Sequence, residues 1–235
     1  MQKKRYLLKL SGEVLKGTSP SIINYDILNG LCERLSKVLN NGNIDLGVVI
    51  GGGNIYRGGR GIPGFNRLYG DQIGMMATVI NGLAIVERLR AFGIYSNIQS
   101  AVKVEGVVDL FNKDKVEETF SKNGVVLFVG GTGNPYFSTD TTAVLRGLQI
   151  NADYVFKATK VDGIFDKDPH KYNDAKKYDY VTYKEIIEKN IQIMDMTSII
   201  MMAENKMKLM VFNMMQDNHL EKALNGEDVG TIVKE

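Results

Sequence analysis

The feature that most constrains the fold is an alternation of short apolar runs with longer helical patterns along almost the whole chain of 235 residues. Six apolar runs are predicted to be strands, at residues 6–10, 44–50, 94–98, 125–129, 153–159 and 209–213. Further helical patterns follow the later strands, at residues 71–91, 113–122, 140–150, 182–190, 196–206 and 217–225. Such alternation is typical of α/β proteins.

The segment between the first two strands shows a helix with predicted ends. Asn24 is the predicted N-cap and Gly42 the stop, and the apolar residues between them fall on one helical face: Ile27, Leu28, Leu31, Leu35, Val38 and Leu39. We therefore predict an α/β fold with a mainly parallel sheet between two helix layers. Because no low-complexity linker, repeat or shift in composition divides the chain, residues 1–235 are predicted to form a single domain with two lobes.

Composition excludes several classes of partner and site. The formal net charge is +2 and the basic residues are scattered apart from Lys3, Lys4 and Arg5, which argues against a nucleic-acid polymer as partner. A lone cysteine, Cys32, and only two histidines argue against a disulfide and against a thiolate or histidine metal centre. The longest uncharged run, residues 73–86, is too short to span a bilayer. With no targeting pattern at its start, the chain is expected to be cytoplasmic, without membrane contact.

Four loops that follow predicted strands point to a bound anion. Their sequences are KLSG (9–12), GGGN (51–54), GGTGNP (130–135) and KVDGIF (160–165). Glycine lets the backbone approach a ligand closely or adopt positive φ, and successive free N–H groups then form an anion nest. Ligands of such sheets bind outside the carboxyl ends of the strands. A polyphosphate site is therefore predicted there, although a glycine pair at a strand end is more often only a turn.

These loops do not match the common nucleotide-binding motifs. The segment from Gly53 to Arg60 imitates a Walker loop but lacks its lysine and hydroxyl residue. The run Gly131-Thr132-Gly133 begins like a dinucleotide fingerprint, yet Tyr136 occupies the position of its last glycine. The sequence also lacks the protein kinase motifs and the GxSxG elbow of serine hydrolases.

Five longer motifs together resemble the bacterial UMP kinases of the amino acid kinase superfamily. They are KLSGE (9–13), GVVIGGGNIYRG (47–58), GDQIGM with MATVINGLA (70–84), GTGNPYFSTD (131–140) and KATKVDGIFDKDP (157–169). The resemblance continues through VFNM (211–214) to GTIV (230–233). Acetylglutamate kinases and aspartokinases share the lysine and glycine loops but lack the third and fourth of the longer patterns, GDxxGM and GTGNPxFTTD. Those two patterns favour UMP.

The resemblance implies a three-layer αβα sandwich of the carbamate kinase-like type, which binds ATP without a Walker loop. It implies reversible transfer of the ATP γ-phosphate to UMP, giving UDP and ADP in pyrimidine nucleotide biosynthesis. Residues 1–150 would form the UMP-binding lobe and residues 151–235 the ATP-binding lobe. A homohexamer is also implied, and the uncharged surface of the helix at residues 71–92 is its predicted contact. Mg²⁺ is expected to arrive with ATP and to be held mainly by its phosphates.

Residue roles are implied by the matched motifs. The implied ATP-binding residues are Lys9, Leu10, Ser11, Gly12, Gly53, Arg57, Thr159, Phe165 and Asp168. The implied UMP-binding residues are Gly52, Asp71, Thr132, Gly133, Asn134, Pro135, Tyr136, Phe137, Ser138 and Thr139, with Asp71 at the ribose hydroxyls. The implied catalytic residues are Lys9, Arg57, Asp140 and Lys157, with Asp140 orienting the lysines. A carboxylate suits a diol, and an arginine fork suits phosphates.

Several of these residues also have purely structural interpretations. Asp71 and Asp140 could each cap a helix, Lys157 could be a structural residue within its strand, and Asp162 and Asp168 could be turn residues. A non-catalytic nucleotide or oxyanion binding or storage protein of the same fold is the alternative function, and a kinase of the superfamily with another acceptor is a third. Residues 19–24 replace the glycine-rich segment usual in relatives, so that loop's conformation is open. Ser138 replaces the usual threonine, and we expect little change from it.

Overall fold

The computed structural model describes residues 3–57, 64–169 and 171–235. The end of the Walker-like segment, Gly58 to Arg60, lies outside these residues. The strands of the described residues are β1 Lys4–Leu10, β2 Ile44–Ile50, β3 Ser96–Ser100, β4 Asp109–Leu110, β5 Val125–Val129, β6 Tyr154–Thr159, β7 Tyr180–Thr182, β8 Lys208–Asn213 and β9 Thr231–Lys234. The helices are α1 Glu13–Lys16, α2 Tyr25–Leu39, α3 Arg67–Ala91, α4 Lys113–Ser121, α5 Thr139–Gln149, α6 Tyr183–Glu188, α7 Met196–Glu204 and α8 His219–Leu224.

The strands form one sheet in the order β4-β3-β5-β2-β1-β6-β8-β9-β7. Every pair is parallel except β8 with β9, which is antiparallel. Strand β1 lies where the strands of the first half of the chain meet those of the second half. The mainly parallel sheet predicted from the alternating pattern is confirmed.

Helices cover both faces of the sheet, which makes three layers. On one face, apolar residues of α2, α3 and α8 pack against alternate strand residues such as Leu8 and Val48. On the other face, residues of α4, α5, α6 and α7 pack against Leu7 and Val49. Successive residues of one strand point to opposite faces, so a central strand buried on both sides is apolar throughout. All seven residues of β2 are buried, and its one charged residue, Asp45, forms an ion pair with Arg5 of β1.

Local sequence explains where α2 begins and ends. The Asn24 side chain accepts hydrogen bonds from the N–H groups of Asp26 and Ile27, so its predicted role as N-cap is confirmed. The helix ends at Leu39, and Gly42 follows with a positive φ of 66° that favours glycine.

The structure corrects several predicted bounds and adds short elements. Helix α3 begins at Arg67, four residues earlier than predicted, because Asn66 caps it by accepting from the N–H of Leu68. Strand β3 covers residues 96–100 instead of 94–98. Helix α1 and the strands β4, β7 and β9 were not predicted from the sequence; each is four residues long or shorter, so its pattern is too short to show a period. Among the described residues, no helix has the length and apolar character needed to cross a membrane.

Candidate active site

Four glycine-rich or basic loops meet at one edge of the sheet. They follow β5, β2, β1 and β6, which are consecutive in the strand order, and parallel strands end at the same edge. The N–H of Gly51, directly after β2, donates to the carbonyl of Leu10 at the end of β1 over 2.9 Å. A Cβ on Gly12 would lie 2.4 Å from the Gly51 carbonyl oxygen. Only glycine therefore allows the first two loops to touch at this point.

Two lysines stand side by side at this edge. Lys9 of β1 and Lys157 of β6 are partners in the strand register, so their side chains leave the same face of the sheet. Like charges that lie opposite each other destabilise a sheet. Asp140 in α5 balances them: Lys157 donates a hydrogen bond to its Oδ2 at 2.8 Å, and the Lys9 ammonium forms an ion pair with its Oδ1 at 3.0 Å. We call these three residues the lysine–aspartate cluster.

Burial and charge together determine the protonation of this cluster. Burial acts to raise the pKa of Asp140, but the two ammonium groups outweigh it and hold that pKa below its usual value. The pKa of Lys157 is lowered by burial, which outweighs the attraction to Asp140 and is reinforced by repulsion from Lys9. The cluster carries two cations and one anion when all three groups are charged. Its net positive charge is fixed in place and suits a bound anion.

A cavity of about 300 Å³ lies between the start of α3 and the glycine-rich loops. Predicted residues from the second loop and from α3 line it, namely Gly52, Gly53, Arg57 and Asp71. The loop packs tightly on the helix, since a Cβ on Gly52 would lie 2.7 Å from the Cβ of Ala77. Glycine at position 52 therefore allows the chain to pass between the helix and the cavity.

Asp71 lies on the cavity wall and joins α3 to the loop after β5. Its Oδ2 accepts a hydrogen bond from the N–H of Tyr136 at 2.7 Å. Arg67 lies 3.6 Å from the same oxygen and stacks on the ring of Tyr136, 4.7 Å from its centroid. The alternative in which Asp71 caps the helix is wrong, because Asn66 is the N-cap and Asp71 lies in the second turn.

The loop after β5 supplies the opposite wall of this cavity. Its lining residues are Gly131, Thr132, Asn134, Phe137, Ser138 and Thr139, whereas Gly133, Pro135 and Tyr136 lie outside the wall. Positive φ angles of 75°, 60° and 83° at Gly130, Gly131 and Gly133 explain its glycines. The side chain of Ser138 accepts from the N–H groups of Asp140 and Thr141 and so caps α5. The alternative in which Asp140 caps this helix is therefore wrong.

A second cavity of about 520 Å³ is lined by residues of β6, of the loop that follows β6, and of the neighbouring strand β8. It contains the predicted residues Lys157, Thr159, Phe165 and Asp168. Its wall combines apolar side chains, such as Val161 and Ile164, with several lysines that were not predicted: Lys167, Lys171 and Lys189. The sequence left open that Asp162 is only a turn residue. Its Oδ1 accepts hydrogen bonds from the side-chain amides of Asn213 and Gln216.

Several of the predicted ATP-binding residues do not line the larger cavity. Arg57 and Gly53, predicted at ATP, line the smaller cavity, and the guanidinium of Arg57 donates to Oε1 of Glu13 at 2.8 and 3.1 Å. Leu10 is fully buried, so no part of this predicted ATP-binding residue is exposed in the isolated chain. Ser11, like Lys9, Leu10 and Gly12, lines neither cavity and lies between the strand end and α1.

Sequence reasoning missed residues that hold the loops in place. Thr78 of α3 accepts at its hydroxyl from the N–H of Gly130 over 2.8 Å. Asp195, the N-cap of α7, accepts from the hydroxyls of Ser138 and Thr141 at 2.5 and 3.0 Å. Burial acts to raise the pKa of Asp195, and these hydrogen bonds outweigh it and lower that pKa. These contacts join distant parts of the sequence, so no local pattern indicates them.

The described residues contain no group of three or more His, Cys, Asp or Glu side chains that could hold a metal ion. Asp140 faces a lysine at each of its oxygens.

Comparison with known proteins identifies the family of the chain. Residues 4–213 match the model of the amino acid kinase family. A uridylate kinase from Legionella pneumophila (strain Paris) is 44% identical over 231 residues, which cover 98% of this chain and 93% of that protein. The crystal structure of UMP kinase from Ureaplasma parvum has a TM-score of 0.94 at 33% identity, with both chains fully covered. The UMP kinase structure from Bacillus anthracis has a TM-score of 0.93 at 28% identity, covering 100% of this chain and 97% of that one. The resemblance inferred from the motifs is confirmed.

Proposed function

Because the chain belongs to the amino acid kinase family, we propose that it is a UMP kinase, which transfers the γ-phosphate of ATP reversibly to UMP and yields UDP and ADP. The lysine–aspartate cluster carries this proposal. Lys157 lines the larger cavity, and Thr139, the neighbour of Asp140, lines the smaller one. The cluster thus lies between two cavities, where it would neutralise phosphates brought together from both sides. Phosphoryl transfer depends on such positioning and neutralisation more than on covalent chemistry.

The smaller cavity is the proposed UMP site. Asp71 offers a carboxylate to the ribose hydroxyls, and the loop of residues 130–139 offers N–H groups and hydroxyls. The larger cavity is the proposed ATP site, since Phe165 and Ile164 give the base an apolar wall and Lys157 gives the phosphates a cation. This division assigns UMP to the lobe of residues 1–150 and most ATP contacts to residues 151–235. The contact at Gly12 between the first two loops also supports the proposed position of the ATP phosphates, because it brings the residues of both loops that are proposed to bind them to one place.

The chemistry needs cations and no protein base. The acceptor is a phosphate oxygen that is ionised above its second pKa of about 6, so a general base has no proton to remove. Lys9 and Lys157 would stabilise the charge of the transferred group, and Asp140 would hold both lysines. Arg57 would leave Glu13 for a phosphate, because a guanidinium can pair with either anion. Mg²⁺ bound to ATP would neutralise further phosphate charge.

A panel of acceptors tests this proposal directly. ADP formation is measured with ATP, Mg²⁺ and one acceptor at a time: UMP, CMP, AMP, aspartate, acetylglutamate and carbamate. Turnover with UMP well above the others is the expected result. Turnover with an amino acid or carbamate would support another kinase of the family. Thermal protection by UMP or ATP without turnover would support the non-catalytic binding or storage protein, and either result would overturn the assignment.

Assembly into a homohexamer through α3 forms part of the proposal. The outer face of this helix exposes an apolar stripe with alternating spacings of four and three residues: Tyr69, Ile73, Met76, Ile80 and Leu83. These side chains are 37–62% exposed in the isolated chain. A contiguous apolar face of this kind is typical of a protein interface, and a second copy of the chain would cover it. We propose a cytoplasmic location for this activity, since both of its substrates are nucleotides.

A further inference from the structure

Two buried asparagines form a closed pair beneath the second glycine-rich loop. Asn54 is the last residue of that loop and is 6% exposed, and Asn81 lies in the middle of α3 and is fully buried. Each side-chain amide donates one hydrogen bond to the other's oxygen, at 3.0 Å from Asn54 and 2.8 Å from Asn81. The sequence pattern gives no reason for Asn81, which lies among mainly apolar residues on the buried face of α3.

The second N–H of each amide holds a backbone carbonyl. Asn81 donates to the carbonyl of Gly51 at 2.8 Å, and Asn54 donates to the carbonyl of Ile22 at 2.7 Å. An amide group has two N–H donors, and both are used at both residues. The pair therefore ties α3, the glycine-rich loop and the segment before α2 to one another. Few other side chains offer a donor and an acceptor at this length, so replacement at either position leaves buried groups without partners.

The bond from Asn81 fixes the direction of one peptide group in the loop. The described chain has no cis peptide bonds, and in a trans peptide the N–H points opposite to the C=O. With the Gly51 carbonyl held towards Asn81, the N–H of Gly52 is turned away from the helix core. Gly52 lines the smaller cavity. The asparagine pair thus determines which group of this peptide, donor or acceptor, is presented on the side where phosphate would bind.

From this geometry we infer that Asn81, braced by Asn54, is a positioning residue for phosphoryl transfer, because it aims the Gly52 N–H at the phosphate. The inference rests on the proposed function. Asn81 itself would contact no substrate and would act through the peptide between Gly51 and Gly52. Freed from this bond, the peptide can rotate and present its carbonyl oxygen, which repels an anion. The loss is expected mainly in kcat, because an N–H aimed at the transferred group matters most when charge spreads over that group.

The test uses Asn81→Ser, which shortens the side chain and retains one hydroxyl. We expect kcat with UMP and ATP to fall by about 10-fold to 100-fold, the usual cost of a small misplacement in an active site, while both KM values change less. Asn54→Ser is expected to act in the same direction. Because the two asparagines act as one unit, the double variant is expected to lose about as much kcat as one single variant. This loss is well short of the two separate fold-losses multiplied together. Thr119→Val is the matched control, since the hydroxyl of this buried residue donates within its own helix, to the Lys115 carbonyl.

Each result decides the question. If the wild-type protein turns over no UMP, the proposed function is wrong, and this result is distinct from a failure of the role inferred for Asn81. If the wild type is active and folded Asn81→Ser keeps its kcat, as Thr119→Val should, the inference is wrong and the pair is only part of the core. Circular dichroism identifies the folded variants. If Asn81→Ser does not fold, Asn54→Ser carries the test, and failure of both to fold also overturns the inference.

Discussion

Replacement of Asp140 by Asn removes the anion that both lysines contact. The contacts are 2.8 and 3.0 Å long, and the three side chains are only 13–15% exposed. At an effective dielectric constant of about 20, a pair of unit charges at this distance attracts by about 5 kcal/mol, and desolvation offsets much of that gain. Removing one partner from such a pair costs about 3–5 kcal/mol. Because the side chains retain some exposure, we expect the lower value, about 3 kcal/mol at neutral pH, which lowers Tm by about 6–12 °C in a chain of this length.

The pH dependence of this loss distinguishes charge from packing. In wild type, the pKa of Lys157 is already lowered by burial, and Asp140 opposes that shift. With Asn at position 140 the pKa of Lys157 should fall further below the value of about 10.4 in the unfolded chain. Between these two values the unfolded chain binds more protons, so stability rises with pH. The deficit of the variant should therefore shrink on going from about pH 7 to about pH 9.5. In acid the stability deficit of the variant should also vanish. The pKa of Asp140 is lowered in the folded wild type, so the stability that its charge contributes is lost as the pH falls through that pKa.

Urea unfolding followed by far-UV circular dichroism at these pH values measures the deficit. Asp114→Asn is the matched control, because Asp114 is the second residue of α4 as Asp140 is of α5, but it is exposed. Loss of an exposed carboxylate in a first helical turn costs about 0.3–1 kcal/mol. The reasoning is refuted if Asp140→Asn is no less stable than Asp114→Asn near pH 7, or if its deficit stays constant as the pH rises.

Four further measurements test the proposed site and assembly. Lys9→Met should lower kcat by about 10²-fold to 10³-fold with smaller changes in KM, as loss of one fixed donor does in other enzymes; an unchanged kcat would remove Lys9 from the transition state. Asp71→Asn should raise KM for UMP by about 10-fold to 100-fold in initial-rate assays, the worth of a hydrogen bond to a charged group, and leave KM for ATP nearly unchanged. In a pH series, kcat/KM for UMP should rise through one limb near pH 6 and stay level to about pH 8.5; a second limb would indicate a protein base. Light scattering should give the wild type the mass of six chains and Ile80→Lys a smaller mass, whereas a wild-type monomer contradicts assembly through α3.

The parts of the fold that repeat along the chain could be predicted from the sequence. The central strands carry nearly continuous apolar runs because both of their faces are covered, and the helices between them show one apolar face. The loops at the sheet edge were predictable for the same reason, since the ends of parallel strands must share an edge. The start of α3 was misplaced because Asn66, its cap, precedes a stretch that includes Gly70 and shows no clear apolar period.

The structure adds contacts that no local pattern encodes. Asp140 and Asp71 each lie close to a helix start, where a carboxylate is often a cap, yet Ser138 and Asn66 occupy the cap positions. The pairing of Arg57 with Glu13 joins residues 44 positions apart. Such pairs depend on how the sheet and helices pack, and a charged residue in a sequence offers many possible partners. The closed arrangement of Asn54 with Asn81 was missed for the same reason.

The register of β1 against β6 has a consequence for how activity appears during folding. Lys9 and Lys157 belong to opposite halves of the chain and become neighbours only when these two strands pair. A slip of one residue in this pairing would turn Lys157 to the other face of the sheet, away from Asp140. With either half folded alone, the lysine–aspartate cluster is incomplete. If the cluster holds the phosphates as proposed, phosphoryl transfer can begin only after β1 has paired with β6, so a half-made chain should not consume ATP.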